Sequence, residues 1–208
     1  MNPILVIGSP RSGTSVVAGV LHHLGVDMGK FYIRPDTQNP TGYFEDADIV
    51  KNDMNSYDND REKWGVRFME LTKDRRDPWG FKTPTLCVTI KDVRENLEKR
   101  GFIPRYIYVK RNLENNIKAL EKHHGRDDAR EQIILQQENI KANLPTKGTF
   151  IIDYEALVGD PIKTLREVVE FLGIYPTQRE QTKAVLHVIQ SPPVKGDRVI
   201  AVASNLYR

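Results

Sequence analysis

The chain has 208 residues, 39% of them hydrophobic and 28% charged, which suits one ordinary soluble domain with a real core and would be cramped for two. Its 31 Lys and Arg against 28 Asp and Glu leave a formal charge of only +3, too near balance for a chain that wraps nucleic acid or coats an anionic membrane. The longest apolar stretches, residues 4–7 and 16–21, fall far below the ~20 residues of a spanning helix, and the opening lacks the basic start and apolar run of a signal peptide.

Short β-rich runs alternate with longer helical stretches, the pattern of parallel strands joined by crossover helices, so the expected fold class is α/β with a single domain over residues 1–208. The first strand is predicted over 3–7. A glycine-bearing turn follows, then a helix with Val16, Val17, Val20, Leu21 and Leu24 on one face, ended by Gly25. Residues 26–44 carry Gly29, Pro35, Pro40 and Gly42 with little periodicity and read as a long loop of the functional kind. A polar helix is expected over 45–57. The next strand is placed at 80–82, with a helix over 85–100 closed by Gly101. A strand over 105–110 leads into a helix over 113–122. Another helix runs from Asp128 to Asn143, where Asp128 and Glu131 have capping-box spacing. After a strand at 149–153, Asp160 and Pro161 open a helix that buries Ile162, Leu165, Val168, Val169 and Leu172 and stops at Gly173. A last helix is expected over 178–189, and residues 198–203 read as a short closing strand or an extended tail. No internal repeat or low-complexity segment is present.

The segment Gly8-Ser9-Pro10-Arg11-Ser12-Gly13-Thr14-Ser15 lies between an apolar strand and an amphipathic helix. Backbone N–H groups and the helix dipole make that junction an anion site. The spacing G-x-x-x-x-G-x-[ST] is weak alone and gains weight from its position. The plainer alternative is a tight turn, with Gly for geometry and Ser or Thr for capping. A nucleoside-triphosphate loop places Lys before its final Ser or Thr to reach the terminal phosphates, and here that place belongs to Thr14. The cation stands inside the loop instead, at Arg11, whose planar fork suits two oxygens of a terminal group.

Residues 10–15, PRSGTS, resemble the 5′-phosphosulfate loop of sulfotransferases that use 3′-phosphoadenosine 5′-phosphosulfate (PAPS), in the bacterial and Golgi types that carry Arg where cytosolic ones carry Lys. Further segments agree in order: NPTGYFE at 39–45, GFKTP at 80–84, YIYVKR at 106–111, and YEAL at 154–157 through FLG at 171–173. The resemblance covers residues 3–173. It implies a three-layer, P-loop NTPase-like fold with a central parallel sheet, PAPS as donor and adenosine 3′,5′-bisphosphate (PAP) as product, and no metal. It further implies a hydroxyl or amine acceptor on a small molecule, glycan or peptide, and no nucleic-acid partner. Arg11, Ser12, Gly13, Thr14 and Ser15 would hold the 5′-phosphosulfate. Arg111 would hold the 3′-phosphate, with Tyr154 and Lys195 as further donor contacts. The catalytic set it implies is Glu45 as base, with Arg11 and Lys82 as cations at the leaving oxygen.

Two departures stand out. Eight residues after Arg111 the family carries Ser, whereas this chain has Ala119; Asn115 or Asn116 would have to substitute for that hydroxyl. The chain also leaves little room for an acceptor subdomain, so the loops 26–44 and 57–79 are expected to supply those contacts. Each assignment has an alternative. Glu45 suits the first turn of a helix, Lys82 a solvated strand end, and Arg111 a surface bridge to Glu114 worth ~0–1 kcal/mol. Ser191 resembles part of a late donor-contacting loop.

His22-His23 and His123-His124 read as surface residues, because neighbours on a helix diverge by about 100° and no third ligand stands at metal spacing. The single cysteine, Cys87, forbids an internal disulfide, fits a reducing cytoplasmic setting and reads as a small buried hydrophobe. Two other functions compete. A P-loop phosphotransferase or hydrolase draws support from Phe150-Ile151-Ile152-Asp153, an apolar strand ending in a carboxylate able to serve Mg²⁺. A nucleotide-binding module without turnover draws support from Ala119.

Overall fold

The computed structural model of the chain describes residues 2–30, 32–37, 39–52, 60–124 and 127–191. Within them, β1 (Ile4–Ile7) leads to α1 (Thr14–His23), α2 (Ala47–Lys51), α3 (Arg61–Thr72), β2 (Gly80–Phe81), α4 (Leu86–Lys99), β3 (Arg105–Lys110), α5 (Leu113–His124), α6 (Ala129–Asn143), β4 (Thr149–Asp153), α7 (Tyr154–Gly159), α8 (Pro161–Leu172) and α9 (Gln178–Gln190). The strands pair in the order β2-β1-β3-β4, and each pairing is parallel.

Alternation along β1 explains the layers. Ile4 and Val6 point to one face, against α1, α8 and α9, and Leu5 and Ile7 point to the other, against α3, α4 and α6. In β3, Ile107 and Val109 join the first core, and Tyr106 and Tyr108 join the second. Strands covered on both faces need continuous apolar sequence, and ILVI and YIYV supply it. The expected α/β architecture, with a central parallel sheet between helical layers, is what the chain adopts.

Three local expectations are corrected. Residues 61–72, placed in an acceptor-contacting loop over 57–79, form α3. Trp64 and Phe68 recur four apart and enter the core, the rings stacking at 4.9 Å, with Phe68 5.0 Å from Phe81. That i, i+4 stripe, continued by Leu71, was the available signal, hidden among charged neighbours. The capping box at Asp128 does not form: Asp128 makes no cap bond and instead accepts from the Gln132 side chain at 2.7 Å. A complete box caps α9, through Thr177 and Glu180. The polar helix expected from residue 45 begins at 47, with Asp46 as its cap. Residues 53–59, like the predicted 198–203 strand and Lys195, lie outside the described residues. No helix among the described residues is long and apolar enough to cross a membrane.

His22 and His23 are also not surface residues. Both are half-buried at the seam of α1 and α9, in a ring cluster with Tyr32, Phe44 and His187. The His123 and His124 side chains are outside the described set. Burial pushes the His187 imidazole from 6.5 down to about 4, with His23 and His22 adding to the shift. Between those values the unfolded chain binds the extra proton, so this contribution is complete above pH 6.5 and is lost as pH falls toward 4, by at most about 3 kcal/mol. The expected result is a melting temperature that drops from pH 6.5 to 4.5, and drops less in His187→Phe. Equal acid slopes in the two proteins would show that His187 carries none of it.

Candidate active site

The loop after β1 is shaped by two left-handed residues, Arg11 at φ 64° and Gly13 at φ 103°. Gly13 is the N-cap of α1 and offers no side-chain cap, so the first N–H groups of a ten-residue helix are not met by one. A side chain at Gly13 would run into the ring of Tyr154, which closes the loop from the β4 side. From beneath, Asn116 of α5 is fully buried and its amide donates to Ser9 Oγ at 3.0 Å and to the Pro10 carbonyl at 3.2 Å. Arg111, just past β3, donates to the Arg11 carbonyl at 2.8 Å and lies 5.0 Å from the Tyr154 ring centroid.

These residues bound an open cleft of about 90 Å³ lined by Arg11, Gly13, Thr14, Ser15, Asn39, Arg111 and Tyr154, at the carboxyl ends of the strands, where such sheets hold ligands. That volume suits one anionic group and is well short of the ~300 Å³ at which pockets begin to enclose whole ligands. Burial lowers the Arg11 guanidinium below its ordinary value; Tyr43 acts against this and Arg111 with it. Burial raises the Tyr154 phenol.

The second half of the site is built around Lys82, which follows β2. It is buried, donates to Ser15 Oγ at 3.0 Å, and forms a buried ion pair with Glu45 Oε1. Burial pulls its ammonium below the ordinary lysine value, and Glu45 opposes that. Neither Lys82 nor Glu45 follows its plainer alternative. Lys82 is not solvated, and Glu45 precedes the cap of α2, whose first-turn acid is Asp48. Arg111 does not bridge to Glu114, which pairs with Arg130 at 2.8 Å; it lies 3.9 Å from Glu155.

Of the residues expected at the site, Arg11, Gly13, Thr14, Ser15, Arg111 and Tyr154 line the cleft, and Glu45 and Lys82 meet at its Ser15 edge. Ser12 does not line it, being buried with its N–H donating to the Ser9 carbonyl at 3.1 Å. Lys195 is outside the described residues. Ser191 turns inward, donating to the His187 carbonyl at 2.8 Å and lying 3.2 Å from Thr41 Oγ1. Asn115 bonds Glu155 at 3.0 Å and Asn116 braces the loop, so both amides are engaged inside the protein. Asp153, the carboxylate suggested for Mg²⁺, caps α7 by accepting from the Ala156 N–H at 2.9 Å, and its strand pairs with β3, not β1. Sequence reasoning named Asn116 as a stand-in phosphate donor and gave it no part in bracing the loop; it missed Tyr43, whose hydroxyl donates to Asp36 at 2.8 Å and whose ring lies 6.0 Å from Lys82 Nζ. Among the described residues no group of three or more His, Cys, Asp or Glu could hold a metal ion. Cys87 is buried, its thiol directed at the Pro84 carbonyl at 3.5 Å.

No protein-family model matches the chain, and no curated protein matches it in sequence. Solved structures do resemble it. Sulfotransferase STF9 of Mycobacterium avium is 15% identical, with a TM-score of 0.62 over 92% of this chain and 68% of that one. Mouse sulfotransferase SULT7A1, complexed with PAP, is 17% identical, with a TM-score of 0.53 over 90% of this chain. The sulfotransferase domain of the Synechococcus olefin synthase is 19% identical, with a TM-score of 0.53 over 97% of this chain and 81% of that one. The chain spans 64% of the mouse enzyme's length. It has the α/β fold seen in these sulfotransferases.

Proposed function

We propose that the protein is a sulfotransferase that moves a sulfuryl group from PAPS to a hydroxyl or amine acceptor on a small molecule, glycan or peptide, in a cytoplasmic setting. The observation that carries this reading is Lys82. A buried lysine from the neighbouring strand touches the loop through Ser15 and a buried carboxylate, Glu45, while the loop's own lysine position is Thr14. The residues present fit the donor. Gly13 leaves no room for a side chain beside Tyr154, and the start of α1 presents backbone donors suited to a phosphate. The likeness to sulfotransferase structures, one of them with PAP, agrees with it.

When bound, the donor supplies the sulfuryl group and a phosphate leaving group whose bridging oxygen gains charge as its bond to sulfur breaks. Catalysis of such a transfer rests on positioning and electrostatic stabilisation. The N–H groups of residues 13–15 would hold the 5′-phosphate, the Ser12 N–H being taken by the Ser9 carbonyl at 3.1 Å, and Arg111 would hold the 3′-phosphate. Arg11 and Lys82 would face the leaving oxygen. Lys82 holds Glu45 Oε1, so Oε2 would take the acceptor's proton as the acceptor oxygen bonds to sulfur.

The test is a calorimetric titration with PAP, 5′-AMP and ATP plus Mg²⁺. PAP at a hundred times its Kd is expected to add about 2.7 kcal/mol of stability, with 5′-AMP and ATP adding far less at the same concentration. Equal responses would reduce the site to a generic nucleotide pocket and overturn the donor assignment.

A further inference from the structure

Glu45 sits on a stretch with little regular structure to hold it. Phe44 before it is left-handed at φ 52°, and Asp46 after it caps a helix of only five residues. Its backbone is met on one side by the Ile33 N–H, which donates to the Glu45 carbonyl at 3.0 Å. The stronger restraint is one residue further on. Asp46 Oδ1 accepts from the Asp48 N–H at 3.0 Å, and Oδ2 accepts from the Lys30 N–H at 2.9 Å and from Arg75 Nη2 at 2.7 Å.

Arg75 is buried, with a side chain 1% exposed. Its other fork, Nη1, donates to Asp27 Oδ1 at 3.0 Å. Asp27 is itself tied down, its carboxylate accepting from the Gly29 and Arg76 N–H groups at 3.0 and 3.1 Å. Burial raises the Asp27 carboxyl, and these donors outweigh it and hold the group below its ordinary value. Asp27 also borders β2: its N–H donates to the Pro78 carbonyl at 2.9 Å, and its carbonyl accepts from the Gly80 N–H at 3.0 Å. Two residues beyond Gly80 stands Lys82. One buried guanidinium thus ties the segment that carries Glu45 to the segment that runs into Lys82.

We infer that Arg75 is a positioning residue for the Glu45–Lys82 pair, acting through Asp46 on one side and Asp27 on the other, and touching no reacting group. The inference rests on the functional reading above for its catalytic consequence and on the packing alone for its structural one. A planar fork is needed because the two carboxylates belong to different segments, and a lysine ammonium would satisfy one at the expense of the other.

The experiment compares wild type, Arg75→Met, Arg75→Lys and Asp46→Asn. The ¹⁵N NMR signal of the Lys82 ammonium, assigned by its loss in Lys82→Met, reports the pair without any substrate. It is expected to shift or vanish in Arg75→Met and Asp46→Asn, with an intermediate shift in Arg75→Lys. In sulfuryl transfer from PAPS to p-nitrophenol, kcat is expected to fall at least tenfold in Arg75→Met and less in Arg75→Lys, with PAP affinity within twofold of wild type. Should Arg75→Met not fold, Asp46→Asn carries the test. A folded variant with an unchanged Lys82 signal, whatever its melting temperature, overturns the inference. If wild type neither prefers PAP nor transfers sulfate, the functional reading falls, and the Lys82 signal still decides the role of Arg75.

Discussion

Glu45→Gln is expected to slow sulfuryl transfer by about 10²–10⁴-fold, the usual worth of a positioned general base, while the affinity for PAP stays near that of wild type. The substitution keeps the shape of the side chain and an oxygen for Lys82 to bond, and it removes only the capacity to take a proton. It also leaves a buried ammonium without its counter-charge. Breaking a buried pair from one side typically costs about 3–5 kcal/mol, whereas replacing both members is often close to neutral. The double variant Glu45→Gln with Lys82→Met is therefore expected to be more stable than Glu45→Gln alone and no more active. Single-turnover rates and melting temperatures of the three proteins make the measurement. A Glu45→Gln enzyme within tenfold of wild type would remove Glu45 from the chemistry and leave it a partner for Lys82.

Arg111→Ala is expected to weaken PAP binding by about 10–100-fold, because a charge-assisted hydrogen bond is worth about 1.5–3 kcal/mol. The loss should be selective. 5′-AMP lacks the 3′-phosphate that Arg111 would grip, so its affinity should change much less and the two ligands should converge. Arg111 also supports the loop by donating to the Arg11 carbonyl and lying against Tyr154. If that support were its whole role, both ligands would weaken together, and parallel calorimetric titrations separate the two outcomes.

The parts of the site that were legible in the sequence are those with a local signature at a strand end. The loop between an apolar strand and an amphipathic helix, Lys82 before Thr83-Pro84, and Arg111 after YIYVK each stand where a parallel sheet presents its ligand-binding edge. The strands were legible because ILVI and YIYV are apolar throughout. What was not legible depends on distance along the chain. Asn116 reaches Ser9 across 107 residues and Arg75 reaches Asp27 across 48, and no spacing rule links such pairs. The α3 helix was legible in principle, through Trp64, Phe68 and Leu71. His22 and His23 were misjudged because their burial comes from Phe44 and His187, which arrive from elsewhere in the chain.

The strand order β2-β1-β3-β4 bears on how the protein comes to exist. Each neighbour in an all-parallel sheet is delivered by a long crossover, and contacts between distant residues make such sheets slow to assemble. The groups gathered here arrive from residues 8–15, 45, 82, 111 and 154, and the last of them only after β4 has paired with β3. A nascent chain that has emerged only as far as α6 would possess the loop and both arginines, yet nothing would stand opposite Gly13. The wall that Tyr154 sets against Gly13 is accordingly a property of the finished sheet, acquired late in synthesis.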